Sequence, residues 1–392
     1  MKNYLPTGLR FNKPEAQMAS GQHLHKIPKA SKVRLESNDS NSIKGGFMIK
    51  TIRSRTKLFA AIAAPLVVVG ATVVPLASGA TASATTPTVT LNITGVPSLT
   101  EGLITVARKM GYFAKYHIKI NWTDAQAGPA VVAAVTGGGA DLGYTADTPP
   151  LKALAGGAPL HFVVGQDTIG KAGNLLAFTK ASTGITSWAN IGANPGVTLE
   201  SNAGYSMGAL GLLAAAYKAN PSQMSNICGG TCPASPPVVS GAASLNLMGE
   251  DALTGVASVV AAFYPQAAEI KDTTDLVNLG DPLAYVFPVG TPYAMFFTST
   301  SSWTGAKKTA IRNFALAMKL AIAYGNKHLA QVYAYGAAAT HSSVALATNA
   351  SLTPRVPFNA KITAAMLAPV VTQMQNVGWG VPTSDQLAAF FH

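Results

Sequence analysis

Two short stretches hold most of the residues with usable binding chemistry. Thr145-Ala146-Asp147-Thr148-Pro149-Pro150 follows one apolar run, and Ser201-Asn202-Ala203-Gly204-Tyr205-Ser206 follows another. Each brings hydroxyls together with an amide or a carboxylate, where a strand pattern gives way to a helix pattern. A helix N-terminus offers free N–H groups and a partial positive charge, which suits an anion. A carboxylate such as Asp147, or Glu101 further upstream, suits an amine instead. Taken alone, Thr148 and Ser206 read equally well as helix caps. The recurrence of the arrangement in two regions points to one shared ligand cleft. Catalytic patterns are missing. His117, His161, His328, His341 and His392 are scattered, and no H-E-x-x-H, G-x-S-x-G or Walker motif occurs. Glu250 and Asp251 are adjacent, and adjacent residues on a helix do not face each other. His23 and His25 have no further metal ligands beside them. No metal, no cofactor and no enzymatic activity is expected.

The elements that must position these turns alternate. Val89, Leu91 and Ile93 alternate with polar residues and predict a strand ending at Gly95. Ser98 or Thr100 is placed to cap the next helix, with Glu101 in its first turn and Leu103, Val106, Ala107 and Met110 at helical spacing. His117–Trp122 predicts a second strand and Pro129–Val135 a helix. Asp141–Tyr144 reads as a short buried strand. Thr148 then caps a helix with Pro149 at its first position, ending at Gly156-Gly157. His161–Val164 is the next strand. The same grammar returns in Gly196–Glu200 and the helix after Ser206. Ala310, Phe314, Met318 and Ile322 mark a long helix, and two more close the chain near Ala360–Val377 and Ser384–Phe391. Strands alternating with helices predict an α/β fold with largely parallel sheets.

Length and charge bound the class. A chain of 392 residues has room for about two domains. The net charge of +12 would fit a nucleic-acid binder, but its placement does not. Residues 1–84 hold twelve of the 28 Lys and Arg and only three of the 16 acids; the remainder carries no basic stripe with interleaved aromatics. The basic stretch Met48–Lys57, the uncharged run Leu58–Leu76 and the small residues Ala80-Thr81-Ala82 and Ala82-Ser83-Ala84 follow the pattern of a secretory signal peptide. An uncleaved anchor is the rival, since about 20 uncharged residues can span a bilayer. Residues 1–47 form a polar, basic extension without apolar periodicity, and Met48 is the expected physiological start. Cys228 and Cys232 enclose Gly229-Gly230-Thr231. In an exported chain they read as a small disulfide clip, with two free thiols as the alternative.

The stretch "GGGADLGYTADTPPLKALAGGAPLHFVV" resembles a segment of the extracellular solute-binding proteins that serve ABC importers, of the nitrate, sulfonate and taurine type and the related thiamine-pyrimidine-precursor binders. "VARKMGYFAKYHIKINW" resembles the helix and second strand of the same group. "GVASVVAAFYP" matches another of its segments in spacing, although Ser258 and Val259 replace the usual Asp-Ala. The resemblance implies a two-lobed type II periplasmic-binding-protein-like fold with the ligand between the lobes. Carried over by motif, the lobes are 85–177 plus 299–392 and 178–298, with crossings near Leu176–Phe178 and Phe296–Thr298. Ligand contacts would come from Ser98, Leu99, Thr100, Glu101, Thr145, Asp147 and Thr148 on the first lobe. The second would add Asn202, Tyr205, Ser206, Phe263 and Tyr264. The implied protein is an exported, monomeric receptor in the periplasm or outside the cell. It would capture a small anion or zwitterion by lobe closure, pass it to a membrane permease and bind no nucleic acid. A secreted enzyme reusing the fold, of the small-acid dehydratase type, is the alternative.

Overall fold

The computed structural model describes residues 87–172, 174–193, 195–228, 239–242 and 247–392. The basic extension, the leader and Cys232 lie outside the described residues, and with Cys232 so does the expected Cys228–Cys232 bridge.

Among the described residues, ten strands form two five-stranded sheets. The first contains β1 (Val89–Gly95), β2 (Ile118–Asp124), β3 (Leu142–Ala146), β4 (Leu160–Thr168) and, from late in the chain, β10 (Pro292–Ser299). The second contains β5 (Leu175–Lys180), β6 (Leu199–Ser201), β7 (Ser240–Gly241), β8 (Val259–Phe263) and β9 (Leu276–Gly280). Their orders, β2-β1-β3-β10-β4 and β7-β6-β8-β5-β9, follow one plan. In each sheet four strands run parallel and one runs against them. That strand is β10 in the first sheet and β5 in the second. Both antiparallel strands are those by which the chain enters after leaving the other sheet. The chain therefore passes between the sheets within 169–174 and again within 281–291. The segments where crossings are expected from the resemblance, Leu176–Phe178 and Phe296–Thr298, lie inside β5 and β10.

Burial explains the strands. Leu91 and Ile93 of β1 are buried while Thr90 and Asn92 are exposed, as the alternation predicts. Val259–Ala262 of β8 is buried without interruption, as befits a strand covered on both faces. The long helix Lys308–Gly325 buries Ala310, Phe314, Met318 and Ile322 against the first sheet's core. Each large apolar side chain so buried contributes about 1.5–3 kcal/mol. The helix Leu329–Gly336, which has no counterpart in the sequence reading, packs on the turn after β1. Two glycines permit this approach. A Cβ on Gly336 would collide with the Leu99 carbonyl, and one on Gly102 with that of Val332. The Ser98–Glu101 turn is therefore held by backbone contact with a helix more than 200 residues downstream in the chain.

Candidate functional site

A cavity of about 440 Å³ lies between the two sheets. It opens where both sheets change direction of strand order: β1 is flanked by β2 and β3, and β6 by β7 and β8. Ligands of open α/β sheets bind in the crevice beyond the carboxyl ends of strands at such a switch point. The turn after β1 supplies Ser98, Leu99 and Thr100, and β3 supplies Tyr144 and Thr145. From the second sheet come Asn202 and Ser206 after β6 and Phe263 and Tyr264 at the end of β8. These eight of the twelve expected contacts, leaving Tyr144 aside, meet in one space. Ser206 also caps the helix Met207–Ala219, its Oγ accepting from the Ala209 N–H at 3.1 Å. Capping and lining therefore coexist in one residue.

The other four stand outside the lining. Glu101 is partly buried beside it, with one carboxylate oxygen unpartnered among the described residues. Burial and the Asp124 charge raise its carboxyl to about pKa 7. Tyr205 is 43% exposed and sets its ring edge against Trp379, 5.0 Å away. Asp147 and Thr148 are fully buried, and their side-chain oxygens have no hydrogen-bond partner among the described residues. Burial, then the charge of Asp167, pushes the Asp147 carboxyl well above the usual range. Both causes favour its uncharged form and work against a role as the amine-holding charge. The expected cap is also one residue out: Asp147 precedes the helix Thr148–Ala155 and makes no side-chain cap bond.

The sequence reading missed the centre of the site, which is Asp167. The strand β4 runs to Thr168, four residues past the predicted end at Val164. Its pairing with β10 shifts register around Ala294, leaving Tyr293 on β10 and Gln166 on β4 as the extra residues. Such bulges re-aim side chains. The Gln166 Nε2 donates to the Tyr144 hydroxyl at 2.9 Å and to the Thr100 Oγ1 at 3.2 Å. Both hydroxyls in turn donate to Asp167 Oδ2, Thr100 at 2.7 Å and Tyr144 at 3.0 Å. Asp167 lines the cavity yet is only 2% exposed, and its Oδ1 has no partner among the described residues. Burial raises its carboxyl to about pKa 6, with the bonds from Thr100, Tyr144 and Gln166 opposing that rise. The carboxylate is thus ionised at neutral pH. Tyr293 and Tyr333 line the same cavity. Burial, aided by the Asp167 charge, pushes both phenols well above their ordinary range. Asn174, in the first crossing segment, also lines the cavity with its amide nitrogen unpartnered among the described residues. No Lys or Arg is among the described residues of the lining; its titratable groups besides the tyrosines are Asp124, Asp167 and His341. Among the described residues no three His, Cys, Asp or Glu side chains come together to hold a metal ion.

A signal for Asp167 was present in "VVGQDT", a strand whose apolar run ends in an amide, an acid and a hydroxyl. Gly165 makes that run look finished.

Comparison by sequence finds no matching family model and no matching curated protein. Comparison by structure finds the periplasmic-binding-protein fold. The alkanesulfonate-binding protein SsuA from Xanthomonas axonopodis pv. citri, bound to MOPS, is 16% identical with a TM-score of 0.58; the match covers 77% of this chain and 99% of that one. The periplasmic aliphatic sulphonate binding protein SsuA from Escherichia coli is 18% identical with a TM-score of 0.56, covering 77% and 92%. The periplasmic nitrate-binding protein NrtA from Synechocystis PCC 6803 is 9% identical with a TM-score of 0.58, covering 77% and 85%. The chain has the two-sheet α/β architecture of these proteins.

Proposed function

We propose that the chain is an exported substrate-binding protein of an ABC importer. It captures a small molecule between two lobes built on the two sheets and presents it to a membrane permease. The observation that carries this reading is the cavity itself, which takes its walls from both sheets at equivalent strand ends. A site divided in this way is completed when the lobes approach, so ligand favours the closed arrangement. The likeness in fold to sulfonate-binding and nitrate-binding proteins supports it.

The ligand class proposed from the sequence is a small anion or zwitterion of the sulfonate, taurine or nitrate type. A cavity of about 440 Å³ suits a small organic molecule better than a bare inorganic ion. The helix Met207–Ala219 begins at the cavity wall, capped by Ser206 with Asn202 on the same wall, and provides for an acidic end. The basic leader and small-residue exit support export to the periplasm or the exterior, and the receptor acts as a monomer. The test is mass spectrometry of compounds that shift the melting temperature of the purified protein. A ligand recovered unchanged supports capture. A chemically altered one would instead favour an enzyme, for which the raised carboxyls of Glu101 and Asp167 would be the acid–base candidates.

A further inference from the structure

We infer that the ligand carries a protonated amine, and that Asp167, flanked by Tyr144, Tyr293 and Tyr333, is the group that binds it. This rests on the capture reading above and narrows its ligand class. A molecule bearing only negative charge could meet the N-terminus of the helix Met207–Ala219 but would leave Asp167 unpaired.

The hydrogen-bond directions carry the assignment. Gln166 donates to both Thr100 and Tyr144, so the oxygens of those hydroxyls are used as acceptors and their protons are turned to Asp167 Oδ2. The network holds a carboxylate on a residue of the cavity wall, and its second oxygen is buried there with its lone pairs unused among the described residues. A buried charge of this kind is costly unless a partner of opposite sign meets it. The described residues of the lining supply none. The one ion pair among the described residues joins Lys307 and Asp141, outside the lining. An ammonium group has the donors that Asp167 Oδ1 lacks. Tyr293, on the cavity wall beside the bulge, suits the same guest, because aromatic rings attract cations, whereas the Tyr333 ring already meets Arg355 at 4.3 Å. An alkyl sulfonate or nitrate would meet the negative charges of Asp167 and Asp124 with no Lys or Arg to offset them.

Calorimetry at pH 7.5 with three probes of similar size tests this: propylamine, taurine and propanesulfonate. Propylamine and taurine bind wild type measurably, and propanesulfonate binds at least tenfold more weakly than taurine. Asp167→Asn lowers taurine affinity about 10- to 150-fold, as expected for losing a charge-assisted contact. If that variant fails to fold, the wild-type ranking of the three probes still decides. Propanesulfonate binding as tightly as taurine would overturn the assignment, as would unchanged taurine affinity in a folded Asp167→Asn. If the protein binds anionic or uncharged compounds and returns them unaltered but ignores amines, capture stands and the amine assignment falls. If no compound in a broad panel binds, both fall.

Discussion

Gln166 and Asp167 are consecutive residues of one strand, yet both side chains bond the hydroxyl of Tyr144, at 2.9 and 3.0 Å. A regular strand sends neighbouring side chains to opposite faces. The register shift between β4 and β10 brings them to the same side. The phenol is thereby both acceptor and donor, and it couples an amide to a buried carboxylate. Tyr144→Phe removes the shared hydroxyl, leaving the Gln166 amide and Asp167 each short of a partner. We expect a loss of about 1–3 kcal/mol in urea unfolding. The Asp167 carboxyl should also titrate higher, which NMR of the carboxyl carbon would read.

Asp147 and Asp167 should behave oppositely on conversion to the amide. The Asp147 carboxyl is buried and unpartnered among the described residues, and burial with the Asp167 charge pushes it well above the usual range, toward its uncharged form. Asp147→Asn should therefore leave ligand affinity within about twofold and stability within about 1 kcal/mol. Stability measured for both variants at pH 7.5, with taurine titration, checks the contrast. A large affinity loss in Asp147→Asn would return that residue to the ligand site.

The ligand-free protein should grow more stable as the medium is acidified from pH 8 to pH 5.5. Burial lifts Glu101 from 4.5 to about 7 and Asp167 from 3.8 to about 6. Between pH 4 and 7 the folded chain keeps protons that the unfolded chain has released. Stability therefore falls as pH rises through that window, and these groups add no further dependence above it. The Tm at pH 5.5 should exceed that at pH 8 by roughly 5 °C. A bound amine stabilises the ionised Asp167, so saturating taurine should flatten the trend. For the same reason amine affinity should weaken as pH falls through 6.

Gly336→Ala should damage the site from a distance. The added methyl meets the Leu99 backbone carbonyl, which cannot move without shifting the Ser98–Glu101 turn. Overpacking of this kind costs about 1–3 kcal/mol. The variant should melt lower and bind the same ligand several-fold more weakly. Gly157→Ala, on the far side of the helix Thr148–Ala155, provides a comparison in which an unfavourable positive φ lowers stability while affinity is kept.

Much of the architecture follows from local pattern. The alternation of Val89, Leu91 and Ile93 and the spacing of Ala310, Phe314, Met318 and Ile322 are properties of neighbours in sequence, and each yields its element directly. The polar turns after β1, β3 and β6 are likewise visible, because hydroxyl, amide and acidic residues cluster where apolar periodicity stops. Burial and pairing across long separations decide the rest. Asp147 and Asp167 look alike in sequence, each following an apolar strand and preceding or adjoining a threonine. One is fully buried, its N–H bonded to the Tyr293 carbonyl of β10 and its carboxyl without a hydrogen-bond partner among the described residues; the other lines the cavity at a bulge beside Tyr293. Tyr333 reaches the cavity from a helix whose place depends on Gly102 and Gly336 meeting the backbone opposite. The sequence by itself determined the α/β class and the polar turns after β1, β3 and β6. Tertiary structure alone decided which carboxylate finds hydrogen-bond donors at the cavity wall, because the Thr100 and Tyr144 hydroxyls that meet Asp167 come from segments far apart in the chain.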